Sequence, residues 1–254
     1  MAKKDEAQQE TNAVVPWDAE LAKYAQAVAQ TEKPSMSSFS LKSGILRYQD
    51  VALQDNMIEG IIVGNVYVNE MYEGRFDPET PRSPVCFAMW DPESGGEIAP
   101  VDEQCLKKQA DVCTGCPKME WGSDPGGGRG KACKEVRRLG ILPIKALGKD
   151  SAAEDVAKAE IGILRISVTS VKQWSNYVNE LANTMKVPPW AVITRIKVVP
   201  DAKSQFKILF TGVARLQEDV ARAVHARRAE VTKLLLTPYE KAVPEEEVRR
   251  SGKF

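Results

Sequence analysis

The chain has 254 residues, 43% hydrophobic and 28% charged, with no formal net charge at neutral pH. That length buries a substantial core in one large domain or two small ones. Neutrality excludes nucleic-acid binding by bulk charge, so any affinity for phosphate must come from local clusters.

Residues 1–38, rich in Ala, Gln, Glu, Lys and Ser, read as a flexible N-terminal arm with one amphipathic helix around Asp18 to Gln30. The opening Met1-Ala2-Lys3-Lys4 lacks the apolar core of a signal peptide. No apolar run approaches the roughly 20 residues of a membrane span. A cytoplasmic protein without a membrane partner is the expectation. From residue 39 the pattern turns to strands: Ser40 to Arg47, then a long β-branched run, Ile58 to Val68, whose interior Gly60 and Gly64 predict a bulge or bend. Pro84 to Trp90 is the next strand, and a cysteine-rich insert occupies 100–134.

Strand character resumes at Val136 to Leu142 and at Ile161 to Val168. Ser170 with Gln173 reads as a capping box for a helix that carries Trp174, Tyr177, Val178 and Leu181 on one face. Strands Trp190 to Val199 and Phe206 to Ala214 form a hairpin about residues 200–204, and a last helix runs from Gln217 to Leu236, leaving 238–254 as a tail. The sum is a mainly β chain with added helices (α+β). It predicts one domain over 39–237 built on a small closed or partly closed barrel, with no βαβ sheet.

Four of the five cysteines fall in the insert as Cys105-x7-Cys113-x2-Cys116-x16-Cys133. Cys113 and Cys116 form a short knuckle, and two further thiolates complete a closed tetrahedral set of the kind that holds structural zinc, Zn2+. All four positions would be filled by protein, so no metal-bound water is expected to do hydrolysis. An iron–sulfur cluster, a redox Cys-x-x-Cys pair and unligated thiols stay open on spacing alone. Cys86 lies in an apolar strand and reads as a small core residue.

Between Pro125 and Lys149, seven cations (Arg129, Lys131, Lys134, Arg137, Arg138, Lys145, Lys149) face Glu135 alone, a local excess of six charges in a neutral chain. Glycines beside them let backbone amides approach phosphate. Gly128-Arg129-Gly130-Lys131 is not a Walker A loop, because Pro125 stands at its first glycine and Ala132 at its hydroxyl. Trp121, in a polar glycine-rich loop without apolar periodicity, is the aromatic residue best suited to stack on a base. His225, the single histidine, sits on a helix face and reads as a bystander to any chemistry.

The run Cys113-x2-Cys116-Pro117-x3-Trp121-Gly122-Ser123, then Gly-Arg-Gly-Lys-Ala-Cys133-Lys and Arg137-Arg138-Leu139, resembles a cysteine motif of tailed-bacteriophage and prophage zinc-containing single-stranded DNA-binding proteins. The likeness covers roughly residues 84–145. It implies an oligonucleotide-binding (OB) barrel with a zinc insert, acting in phage DNA replication or recombination in the host cytoplasm. Single-stranded DNA would be the ligand and phage replication proteins the partners, with a homo-oligomer left open. The chain departs from many replication binders in ending Arg249-Arg250-Ser251-Gly252-Lys253-Phe254 rather than in an acidic tail.

The expectation is therefore a non-enzymatic, largely sequence-independent binder. Cys105, Cys113, Cys116 and Cys133 would hold the metal, Arg129, Lys131, Lys134, Arg137 and Arg138 would meet phosphates, and Trp121 would stack. A zinc-stabilised structural or interaction protein of a phage is the alternative. A cluster-bearing nuclease ranks behind it, because its carboxylates, Asp91, Glu93, Asp102 and Glu103, fall in turns without a recognisable constellation.

Overall fold

The computed structural model describes residues 37–73, 82–147 and 153–241, with Trp17, Leu21, Lys23 and Tyr24 of the arm. The chain divides into two units, Met1–Met36 and Ser37–Phe254. The four described arm residues are helical; the remainder of the helix expected around Asp18 to Gln30 lies outside the described residues.

In the second unit the strands are β1 Ser38–Lys42, β2 Ile45–Tyr48, β3 Val51–Ala52, β4 Met57–Met71, β5 Cys86–Trp90, β6 Lys134–Pro143, β7 Gly162–Ile166, β8 Val192–Asp201 and β9 Gln205–Arg215. The helices are α1 Ala153–Lys158, α2 Val168–Glu180, extended by a π turn at Leu181–Met185, and α3 Glu218–Leu235. They form one mainly β sheet, curled into a half-barrel, in the order β3-β2-β1-β7-β6-β4-β8-β9. Every pairing is antiparallel except that of β1 with β7.

β4 organises the sheet. One edge pairs with β6 along most of its length; the other takes β8 at Met57–Ile61 and β5 at Tyr67–Met71. The register against β6 shifts between Ile62 and Gly64, the bulge that the interior glycines predict. At Gly60 a Cβ would lie 2.8 Å from the Leu142 carbonyl oxygen, so β4 and β6 can approach there only without a side chain.

Both faces of β4 are covered. Ile62, Leu139, Ile141 and Leu164 pack with Trp174, Tyr177 and Leu181 of α2 in one core. Ile61, Val63, Val66 and Leu142 pack with Val220, Val224, Val231 and Leu235 of α3 in the other. The alternation Ile61/Ile62/Val63 on a central strand sends neighbouring side chains to opposite cores. Asn56 ties the first hairpin to the curl: its Nδ2 donates to the carbonyls of Gly44 at 2.7 Å and Val198 at 3.3 Å.

Four local expectations change. The strand expected at Ser40 to Arg47 is a hairpin, because Ser43 (φ 53°) and Gly44 (φ 76°) take the paired left-handed geometry of a tight two-residue turn. Ser170 does not cap α2. The helix starts after Ser167, and Ser170 is buried one turn in, its Oγ accepting the Ile208 amide of β9 at 3.1 Å. α1 is six residues long, too short to show a periodicity, and is fixed by Arg227, which donates to the carbonyls of Val156 at 2.6 Å and Ala159 at 2.7 Å. The packed body also continues past residue 237. The Tyr239 ring stands edge-on to Phe87 at 5.0 Å and its hydroxyl donates to the fully buried Glu70 at 2.8 Å, beside the Arg165–Glu70 ion pair. No helix among the described residues is long and apolar enough to cross a membrane.

Candidate metal centre and basic flap

The insert hangs from the far end of β4, between the starts of β5 and β6. Met71 pairs with Cys86 on one edge of β4 and Glu70 pairs with Lys134 on the other, so Cys133 enters one residue before β6 begins, beside the same end of the strand. The knuckle is docked onto this end by backbone bonds. The Cys113 amide donates to the Ile98 carbonyl at 2.7 Å, the Cys116 amide to the Cys113 carbonyl at 3.2 Å, and the Cys133 amide to the Lys118 carbonyl at 2.9 Å. Gly115, between the two knuckle cysteines, has φ +75°, the left-handed turn that brings Cys116 round beside Cys113.

The result gathers all five thiols, none in a disulfide. Cys86, Cys113, Cys116 and Cys133 line one narrow cavity of about 10 Å3, with Asn69 and Met71 of β4 in its wall. Cys105 is buried next to it, but its Sγ turns to the Phe87 backbone: it accepts the Phe87 amide at 3.2 Å and lies 3.5 Å from the Phe87 carbonyl. Asn69 is 3% exposed; its side chain hydrogen-bonds Cys113 while its Oδ1 has no partner.

Burial pushes the Cys86 thiol up to about 11 and the Cys133 thiol up to about 12, and raises Cys113 too, with neighbouring sulfurs adding to each. A redox or nucleophilic Cys-x-x-Cys needs the opposite, a lowered pKa in an electropositive, accessible setting. Among the described residues no group of three or more His, Cys, Asp or Glu side chains is placed so that it could hold a metal ion. The donor chemistry nevertheless fits a thiophilic ion. Four cysteines line a void about the size of one small particle, and Asn69, in the same wall, has a buried amide oxygen without a partner.

The glycine-rich loop after the knuckle is built, not merely permitted. Asp124 accepts the Gly126 amide at 3.0 Å and the Lys134 ammonium at 2.7 Å. Ser123 Oγ accepts the Ala132 amide at 2.9 Å and lies 2.7 Å from the Glu120 carbonyl to which it donates. Gly122 donates to the Gly130 carbonyl at 2.9 Å, closing the loop's neck. These bonds hold Trp121 outward, 78% exposed, with the Lys131 ammonium 5.2 Å from its ring centre.

The expected phosphate residues have different fates. Arg129 is exposed at the loop tip and makes no ion pair among the described residues. Lys131 pairs with Glu135 at 2.8 Å and Lys134 with Asp124 at 2.7 Å, so each would exchange a carboxylate for a phosphate. Arg137 lies half-buried against Tyr67, its guanidinium carbon 3.5 Å from the ring centre. Arg138 departs from the expectation. It is 9% exposed and donates to the Leu235 carbonyl at 3.1 Å and the Thr237 carbonyl at 2.7 Å, under the Tyr239 ring. It serves as the cap of α3's C-terminal end, where a cation meets carbonyls that have no helical partner. Neighbours in a strand point to opposite faces, which is why Arg137 reaches the surface and Arg138 the core.

Elsewhere, Trp174, Tyr177 and Phe210 form a buried aromatic stack under α2. Trp190 borders a cleft of about 380 Å3 between α2, α3 and the β4 bulge, and His225 lies exposed at 5.1 Å from its ring. The turn carboxylates are held separately: Asp91 accepts the Glu93 amide, Glu93 pairs with Arg228, and Asp102 pairs with Lys108.

No family model matches the chain, and neither a curated protein nor a solved structure matches it.

Proposed function

We propose that this protein binds single-stranded DNA through the Trp121–Lys134 flap, with a zinc ion held by the cysteine cluster to fold that flap. Cys113, Cys116 and Cys133 supply three thiolates, and the fourth comes from Cys105 or Cys86. The observation that carries the reading is the Trp121 ring, 78% exposed and fixed on a bonded glycine-rich loop beside Arg129 and Lys131, with the Lys131 ammonium 5.2 Å from its centre. A rigid aromatic among cations is the element that single-strand binders use.

The topology supports it. The five-strand path β7-β6-β4-β8-β9 within the curled half-barrel is compatible with the partly open five-stranded form of an OB barrel. In that frame β4 and β6 are the first two strands, and the whole insert is the loop between them. That loop and the one joining the last two strands are where OB barrels take oligonucleotides. The work would fit phage replication or recombination, without base-specific readout.

The cavity's size favours a single ion over a four-iron cluster. An ion there would supply no chemistry of its own; it would lock knuckle and flap to the end of β4. Between two and four of Arg129, Lys131, Lys134 and Arg137 would engage phosphates, giving a salt slope of roughly −1.4 to −2.8 for a single strand. Titration of the full chain with poly-dT tests this. Binding at about 50 mM salt that weakens with that slope supports the proposal. Absent binding, or assembly indifferent to DNA in gel filtration, defeats it and favours a structural role.

A further inference from the structure

We infer that Cys86, and not Cys105, is the fourth thiolate of the metal set, so that the ion is clasped by Cys86, Cys113, Cys116 and Cys133. The inference rests on the metal reading above and specifies its ligands. Placement in the fold carries it, and two contacts around the cavity bear on it.

Residues directly opposite in antiparallel strands share a face, as do residues two apart in one strand. Asn69, Met71, Cys86 and Ala88 therefore lie on one face of the β4–β5 pair, since Met71 faces Cys86 and Asn69 faces Ala88. Those four side chains, with Cys133 arriving from the opposite edge of β4, are in the cavity wall. Two strands flanking the same end of β4 each deliver one sulfur, and the docked knuckle brings the other two over the top. Cys105 is not in that wall.

The first contact is that of Cys105. The Cys105 sulfur already has a donor, the Phe87 amide, and an acceptor, the Phe87 carbonyl, within the same peptide neighbourhood. A neutral thiol is satisfied by that pair; the Cys86 sulfur also has partners, the Gln109 amide, which a thiolate keeps, and the Cys105 thiol. The contact of Cys105 with Phe87 pins the 100–107 stretch along the outer edge of β5, which the Lys107 amide also joins by donating to the Val85 carbonyl at 2.8 Å. Ligation by Cys105 would forfeit the contact to the carbonyl.

The second contact is that of the buried amide. Asn69 is almost fully enclosed, lines the cavity, bonds Cys113 and has a carbonyl oxygen with no partner. A buried polar group left unsatisfied is costly. The Asn69 bond to Cys113 marks the cavity as the place of the ligand set, an amide donating to ligand sulfur as outer contacts of metal sites do, and the Met71–Cys86 register puts Cys86 on the same strand face as that amide.

The test uses the full chain, purified and reloaded with Co2+ as a spectroscopic stand-in for Zn2+. The thiolate-to-cobalt absorption reports ligand sulfur directly. Cys105→Ser should keep the wild-type band and one metal per chain. Cys86→Ser should lose the ion or about a quarter of the band, one thiolate of the proposed four, and Cys86→His should regain the ion with a shifted spectrum. Because either variant can fail to fold, the wild type is also alkylated with and without Zn2+ and the cysteines mapped by mass. Zinc should protect Cys86, Cys113, Cys116 and Cys133 and leave the labelling of Cys105 unchanged. A wild-type band in Cys86→Ser, or zinc protection of Cys105 but not Cys86, overturns the assignment while leaving a zinc site standing. A wild type that takes up neither ion overturns the metal reading itself.

Discussion

Replacing Arg138 with alanine separates the structural from the nucleic-acid role of the Arg137-Arg138 pair. The guanidinium holds the carbonyls of Leu235 and Thr237 and lies 4.3 Å from the Tyr239 ring centre. Removing it leaves two acceptors short of a donor in a buried place, about 1–3 kcal/mol for each. The ring contact adds about 0.5–2 kcal/mol. These terms overlap, and a loss of roughly 3–5 kcal/mol matches the cost of breaking a buried charged contact. Against a typical stability of about 5–15 kcal/mol, that is a large fraction. With a urea slope of about 2–3 kcal/mol per M, the midpoint should fall by roughly 1–2 M. The protein that stays folded should bind poly-dT with the wild-type salt slope. Arg129→Ala should do the reverse, changing stability by no more than about 0.5 kcal/mol and reducing the slope by about 0.7. If Arg138→Ala were as stable as wild type but lost salt dependence, its assignment as a helix cap would be wrong.

Trp121→Ala should weaken single-strand binding by about 1–3 kcal/mol, roughly five- to 150-fold, and leave the thermal midpoint unchanged, because the ring is largely in solvent. Gly140→Ala should cost about 1–3 kcal/mol and lower the thermal midpoint by about 2–12 °C, since the new Cβ would sit 2.5 Å from Val231 Cγ1 between β6 and α3. Asp124 is held below the usual carboxylate range, first by the Lys134 hydrogen bond and then by the Gly126 amide. A depressed carboxylate stabilises the fold above its unfolded pKa and loses that contribution as pH falls through the folded value. Hydrogen exchange at Gly126 should therefore lose protection on acidification below the ordinary carboxylate range, and Asp124→Asn should remove the transition. That variant also frees Lys134, so its poly-dT slope at neutral pH should steepen by up to about 0.7.

What the sequence made legible follows from the range of the forces involved. The long β-branched run, its glycine bulge, the last hairpin and the terminal helix are local patterns, and they were readable from periodicity and turn chemistry alone. The capping box at Ser170 failed because a buried seryl hydroxyl was spoken for by β9, a partner 38 positions away. Cys86 was legible as buried but not as one of the cavity's thiols, since its place opposite Met71 depends on the pairing of β4 with β5 across a long loop. Arg138 looked like one more cation in a basic run. Only strand alternation fixed by the β4–β6 register separates it from Arg137, and that parity was available as soon as 136–142 was read as a strand.

Single-strand titration before chelation, after chelation and after return of one equivalent of zinc joins the metal to the flap in one experiment. If, as proposed, a thiol-clasped ion folds the segment that carries Trp121 and Arg129, affinity should collapse when the ion is stripped and return when it is restored, with the same salt slope. Stripped protein that binds poly-dT as tightly as the loaded form would contradict that coupling.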